Sequence, residues 1–128
     1  RTDTGVGAGL LELPDEAFLD GMLAGLTLAN SRGFALWTVV LGAALSDEVV
    51  KTALDEILAR RRADYRMAVQ ELMRRGVAAA SIDVAAAADE LSFLLSPEGY
   101  QQLVAQSGWE PERYTAWARE HVLAVLAK

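Results

Sequence analysis

The chain has 128 residues, 52% of them apolar, and a formal net charge of −6. That length suits one domain with a sizeable core. The apolar content excludes a disordered chain, and the acidic balance argues against these residues alone gripping nucleic-acid phosphates or an anionic membrane. With no cysteine, disulfides, thiolate metal sites and cysteine nucleophiles are excluded, and a reducing, cytoplasmic setting fits. No apolar run approaches the roughly 20 residues of a membrane span, and no signal peptide is visible, so no membrane partner is expected.

Residues 1–12, RTDTGVGAGLLE, read as a flexible lead-in or linker. Their Gly5-Val6-Gly7-Ala8-Gly9 run lacks the preceding strand and third glycine of a dinucleotide fingerprint, and also the Gly-Lys-Ser/Thr ending of a P-loop. Residues 13–128 read as one helical domain. A first helix is expected from Pro14, with Asp15 and Glu16 at the positive end of its dipole and Phe18, Leu19, Met22, Leu23 and Leu26 as its apolar stripe. Asn30-Ser31-Arg32-Gly33 is expected to end it, Gly33 taking the left-handed conformation. A second helix, Phe34 to Leu45, is apolar around nearly its whole circumference, the pattern of a helix buried on all sides.

Ser46 then caps a long third helix, roughly Asp47 to Arg75, whose inner stripe is Val50, Leu54, Ile57, Tyr65, Val69 and Leu72, and Gly76 is its stop. Asp83 or Ser81 caps a fourth helix carrying Val84, Ala88, Leu91 and Leu95. Ser96-Pro97-Glu98 either restarts or kinks that helix. Gly108 ends the segment, and Pro111 opens a last helix with Tyr114, Trp117, Ala118, His121, Val122 and Val125 at helical spacing. No segment alternates with period two, so the expectation is an all-α bundle of five to six helices.

No nucleophile–base–orienter set is legible, so no catalytic residue, metal or cofactor is expected. His121 is the sole histidine, and a satisfied or interface role outweighs a catalytic one. Arg60, Arg61, Arg62, Arg66, Arg74 and Arg75, interleaved with Asp64 and Glu71, read first as a solvated face. Arg61 lies on the line of Ile57 and Tyr65, where it either pairs with a buried carboxylate or meets an anionic ligand. A core rich in Met, Trp and Phe with isolated polar groups also describes an apolar ligand cavity. Its candidate lining is Met22, Leu26, Asn30, Phe34, Trp37, Thr38, Leu41, Arg61, Tyr65 and Phe93, suited to a small hydrophobic or aromatic effector. The last helices carry more apolar surface than their length readily covers. Leu91, Leu95, Tyr100, Leu103, Val104, Trp109, Tyr114, Trp117, His121, Val122 and Val125 form either ordinary core or the self-complementary face of a homodimer. Periodicity does not separate the two.

The segment from Asp83 carries the pattern L-SPEGY-x-x-LV-x-x-x-GW-x-P-x-RY-x-x-W, from Leu95 through Ser96, Pro97, Glu98, Gly99, Tyr100, Leu103, Val104, Gly108, Trp109, Pro111, Arg113 and Tyr114 to Trp117. It resembles the closing helices of TetR-type transcriptional regulators, and Arg74-Arg75-Gly76-Val77 is similar to the turn ahead of that family's dimer helices. The resemblance covers residues 75–128; the earlier helices agree in order and length. It implies an effector-binding and dimerisation domain in which the last two helices form a four-helix bundle with a partner subunit, and a small-molecule pocket in the preceding helices. It further implies a ligand-released repressor whose operator DNA is read by an N-terminal helix-turn-helix domain absent from this chain. A free-standing helical interaction module is the alternative reading.

Overall fold

The computed structural model describes residues 14–128; the lead-in expected over residues 1–12 lies outside them. All regular structure among the described residues is helical. Helix α1 spans Asp15–Ala44 and α2 spans Glu48–Arg74, an antiparallel pair joined by a tight turn. Then come α3, Val84–Leu94, the single turn α4, Pro97–Tyr100, which runs on into a π-helical turn over Gln101–Gln106, and α5, Pro111–Leu126. No described helix is long and apolar enough to cross a membrane.

Local chemistry sets most of the boundaries. Pro14 precedes α1, and its carbonyl accepts from Phe18 N at 2.8 Å. The Asp47 carboxylate accepts from Val49 N at 2.9 Å and Val50 N at 3.2 Å, so the cap of α2 falls on Asp47, one residue after the expected Ser46. Gly76 closes α2 with φ 76°, and Val77 N and Ala78 N both donate back to the Leu72 carbonyl. Of the two candidate caps for α3, Asp83 serves, accepting from Ala86 N at 3.2 Å. Ser96 caps α4 by accepting from Gly99 N at 3.1 Å, with Pro97 in the first turn where its missing N–H costs nothing.

One expected boundary is absent. The two helices anticipated over Pro14–Gly33 and Phe34–Leu45 are a single 30-residue helix, roughly 45 Å long. Gly33 does not take a positive φ, and nothing lies within 4 Å of where its Cβ would sit. Ser31 Oγ donates to the Leu28 carbonyl and Thr38 Oγ1 to the Phe34 carbonyl, so hydroxyls that favour turns are satisfied inside the helix. Asn30, the other stop signal, is buried, and its amide donates to the carbonyl of Leu95 at the end of α3 rather than capping its own helix. A mid-helix glycine such as Gly33 costs about 1 kcal/mol, less than ending a helix whose flanking turns are intact.

The core lies where the N-terminal half of α1, the C-terminal half of α2, α3 and α5 meet. Leu19, Leu23, Val69, Leu72, Leu91, Tyr114, Val122 and Leu126 are its most deeply buried side chains. Ala87, Ala88 and Ala118 are also buried there, where their small side chains let helix axes approach closely, and Ala78 is buried beside them in the turn after α2. The distal half of α1 departs from expectation. Leu36 is 70% exposed, Val39 66% and Leu45 89%, while Phe34, Val40 and Leu41 are only half-buried. On α2, likewise, Val49 and Ile57 are exposed although the stripe positions Leu54, Tyr65, Val69 and Leu72 are buried.

The end of α2 is tied back to the start of α1. Glu71 accepts from Arg74 and, at 2.6 Å, from Arg75, whose guanidinium lies 4.5 Å from the Phe18 ring centre and 3.3 Å from the Asp15 carboxylate. The hydrogen bonds from Arg74 and then Arg75 hold the Glu71 carboxyl down at about 2. Because the folded value lies below the unfolded one, this contribution is complete above the unfolded carboxyl pKa and is lost as pH falls through the folded value. The melting-temperature gap between the native protein and Glu71→Gln is therefore expected to be constant above about pH 5 and to close on acidification toward about pH 2. A gap that does not change with pH would show that Glu71's charge contributes nothing there.

Candidate functional site

Where α3 breaks, the amides that would continue it are diverted. Ser96 N donates to the Phe93 carbonyl, Gly99 N goes to its own cap at Ser96 Oγ, and Pro97 has no N–H. The terminal carbonyls of α3 are taken instead by side chains from three other helices. Arg61 Nη2 from α2 donates to the Ser92 carbonyl at 3.0 Å, Tyr114 Oη from α5 to Leu94 at 3.4 Å, and Asn30 Nδ2 from α1 to Leu95 at 3.1 Å. Just beyond, Trp37 Nε1 donates to the Glu98 carboxylate at 2.8 Å. The break at Ser96-Pro97 is thus the point on which every other long helix converges.

Beside it a cleft of about 310 Å³ opens between α2 and α3, lined by Leu58, Arg61, Arg62, Asp89, Ser92, Phe93 and Ser96. Phe93 is 80% exposed, Arg62 and Asp89 are exposed, and Leu58, Arg61, Ser92 and Ser96 are half-buried. Of the ten side chains expected to enclose a ligand, Arg61 and Phe93 line this cleft. Met22 and Leu26 are partly buried against the core, and Asn30 and Tyr65 are buried, Asn30 on the Leu95 carbonyl and Tyr65 within the core. Burial raises the Tyr65 phenol, with the Arg61 charge pulling the other way. Phe34, Trp37 and Leu41 are half-buried and Thr38 exposed on the distal half of α1. The ten therefore spread over core, helix tip and cleft.

Arg61 donates to a backbone carbonyl, and among the described residues no carboxylate pairs with it. Leu58 and Asp89 of this cleft were not singled out by sequence, and Arg62 and Ser96 were read only as part of a solvated face and as a helix restart. A signal existed, since Leu58, Arg61 and Arg62 follow i, i+3, i+4 and Asp89, Ser92, Phe93 and Ser96 follow i, i+3, i+4, i+7, each one helix face. What spacing cannot show is that the two faces meet.

The residues expected at a subunit interface divide in two. Leu91, Leu95, Tyr100, Tyr114, Val122 and Val125 are buried within the single chain, so their side chains belong to its own core. Tyr100 and Tyr114 meet edge to face at 5.1 Å, and burial pushes the Tyr114 phenol up to about 12. Leu103, Val104, Trp109, Trp117 and His121 are half-buried and keep surface available. Along this strip the Arg113 guanidinium lies 3.9 Å from the Trp109 ring centre, Trp109 meets Trp117 edge-on at 6.2 Å, and Trp117 lies 4.6 Å from His121. His121 Nδ1 donates to the Trp117 carbonyl at 2.9 Å, which fixes its tautomer.

Among the described residues no group of three or more His, Cys, Asp or Glu side chains is placed to hold a metal ion. Comparison with protein-family models, with curated proteins and with solved structures finds no match to this chain.

Proposed function

We propose that this chain is the effector-binding and dimerisation domain of a TetR-type transcriptional regulator, acting in the cytoplasm as a ligand-released repressor. The observation that carries the reading is the helix pair after Asp83. The Ser96-Pro97 break, the turn ending at Gly108 and the Pro111-initiated α5 set Trp109, Trp117 and His121 on one half-buried strip. In this reading the last two helices, the α3–α4 segment broken at Ser96-Pro97 and α5, meet their two-fold copies across that strip, forming a four-helix bundle whose buried inner residues are supplied by each subunit separately. A small effector seated among the preceding helices changes how the two subunits are spaced. Operator DNA is contacted by a helix-turn-helix segment outside these residues, in keeping with the acidic balance of this part.

Light scattering at micromolar concentration tests the assembly. The expected mass is that of a dimer of the 13.8 kDa chain, and Trp117→Glu is expected to give a folded monomer, because a charge buried at an apolar interface has no partner. A native protein that is monomeric under those conditions sinks the proposal. The rival reading, a free-standing interaction module, draws on the exposed Leu36, Val39, Leu45 and Val49 at the α1–α2 tip. It gains if Leu36→Ser with Val39→Ser abolishes association while Trp117→Glu does not.

A further inference from the structure

We infer that the cleft between α2 and α3 is the effector seat and that it takes a small aromatic monocarboxylate. The inference rests on the effector-binding reading above, moves the seat from among the preceding helices to the border between α2 and α3, and supplies the ligand class that reading leaves open. The volume of about 310 Å³ reaches the lower end of small-molecule sites, which suits one or two fused rings. Two kinds of surface meet in it. Leu58 and Phe93 supply the apolar part, and Phe93 presents a largely exposed ring that no other ring stacks on among the described residues. A flat aromatic ligand offers that ring the offset or edge contact aromatic pairs prefer.

Charge narrows the choice further. Arg61 spends one of its five N–H donors on the Ser92 carbonyl. Neither Arg62 nor Asp89 has an ion-pair partner among the described residues. Two guanidiniums against one carboxylate leave a single net positive charge in the cleft of a protein whose overall balance is −6. A monoanion matches that balance, and the half-buried Arg61 is the cation placed to hold it. The planar fork of an arginine matches a carboxylate in two parallel hydrogen bonds. Because Arg61 also holds the end of α3, a carboxylate that engages its remaining donors shares one guanidinium with the Ser92 carbonyl at the break leading into α4 and α5.

Isothermal titration of the 128-residue chain with naphthoate, and with naphthamide as its neutral counterpart, tests this. Saturable binding of one naphthoate per chain is expected, with the amide at least about tenfold weaker. Phe93→Ala and Arg62→Gln, both at exposed positions that leave the fold intact, are each expected to weaken naphthoate about tenfold. The inference is overturned if millimolar naphthoate gives no saturable heat, if the amide binds equally well, or if both variants bind as the native protein does. Light scattering on the same samples keeps the two ideas apart. A dimer that ignores naphthoate removes the cleft assignment alone, and a monomer removes the regulator reading whether or not naphthoate binds.

Discussion

Leu91→Ala is expected to destabilise the fold by about 2–5 kcal/mol, while Phe93→Ala, two residues along the same helix, is expected to change stability by less than about 0.5 kcal/mol. Leu91 is fully buried, in one cluster with Leu72, Tyr114 and Val122, where removing the isobutyl group leaves a void that close-packed neighbours fill only in part. Phe93 points the other way from a helix of 3.6 residues per turn and is 80% exposed. Thermal melts by circular dichroism at one protein concentration read both effects, with a fall on the order of 10 °C for Leu91→Ala. The pair also separates core from interface. If Leu91 lost its burial to a partner rather than to its own chain, the cost of Leu91→Ala would vary with protein concentration; here it is expected to stay constant. A small effect at Leu91 together with a large one at Phe93 would mean that α3 is rotated relative to this packing.

Features written into a few neighbouring residues were legible in the sequence, and features that depend on distant pairing were not. Gly76, Gly108, Asp83, Ser96-Pro97 and Pro111 act through their own backbone conformation or their nearest amides, and each stands at the boundary expected of it. Gly33 failed as a stop because the decision lay elsewhere: Asn30, which would have helped end the helix, bonds to Leu95, 65 residues away. The run from Phe34 to Leu45 carried enough apolar surface for burial on all sides, yet burial needs a neighbour, and among the described residues none covers Leu36 and Val39. On the final helices, the same spacing holds both the core residues Tyr114 and Val122 and the half-buried Trp117 and His121. Period alone records that a face is apolar and says nothing about which chain covers it. The π-helical turn over Gln101–Gln106 left no recognisable mark in the sequence at all.

Asn30 is the position at which the convergence on the α3 break is most open to test. Asn30→Leu keeps much of the volume but removes the donor, leaving the Leu95 carbonyl buried without its partner, and is expected to cost about 1–3 kcal/mol. Asn30→Asp is the sharper probe. At neutral pH it sets a carboxylate oxygen where the amide nitrogen now lies, 3.1 Å from the carbonyl oxygen; neither group can donate, the charge is buried, and the expected cost is about 3–5 kcal/mol. Protonation reverses the chemistry, because the carboxyl O–H donates to the same carbonyl. The folded pKa of the introduced acid is therefore raised above its unfolded value of about 3.9, so its penalty is least below that value and grows as pH rises through it. Urea midpoints of the variant and the native protein, compared at about pH 4 and about pH 7, are expected to lie closer together at the lower pH. Comparing the two at each pH removes the acid sensitivity that Glu71 gives both. An equal deficit at both values would show that it is packing around Asn30, and not its hydrogen bond, that joins α1 to the break between α3 and α4.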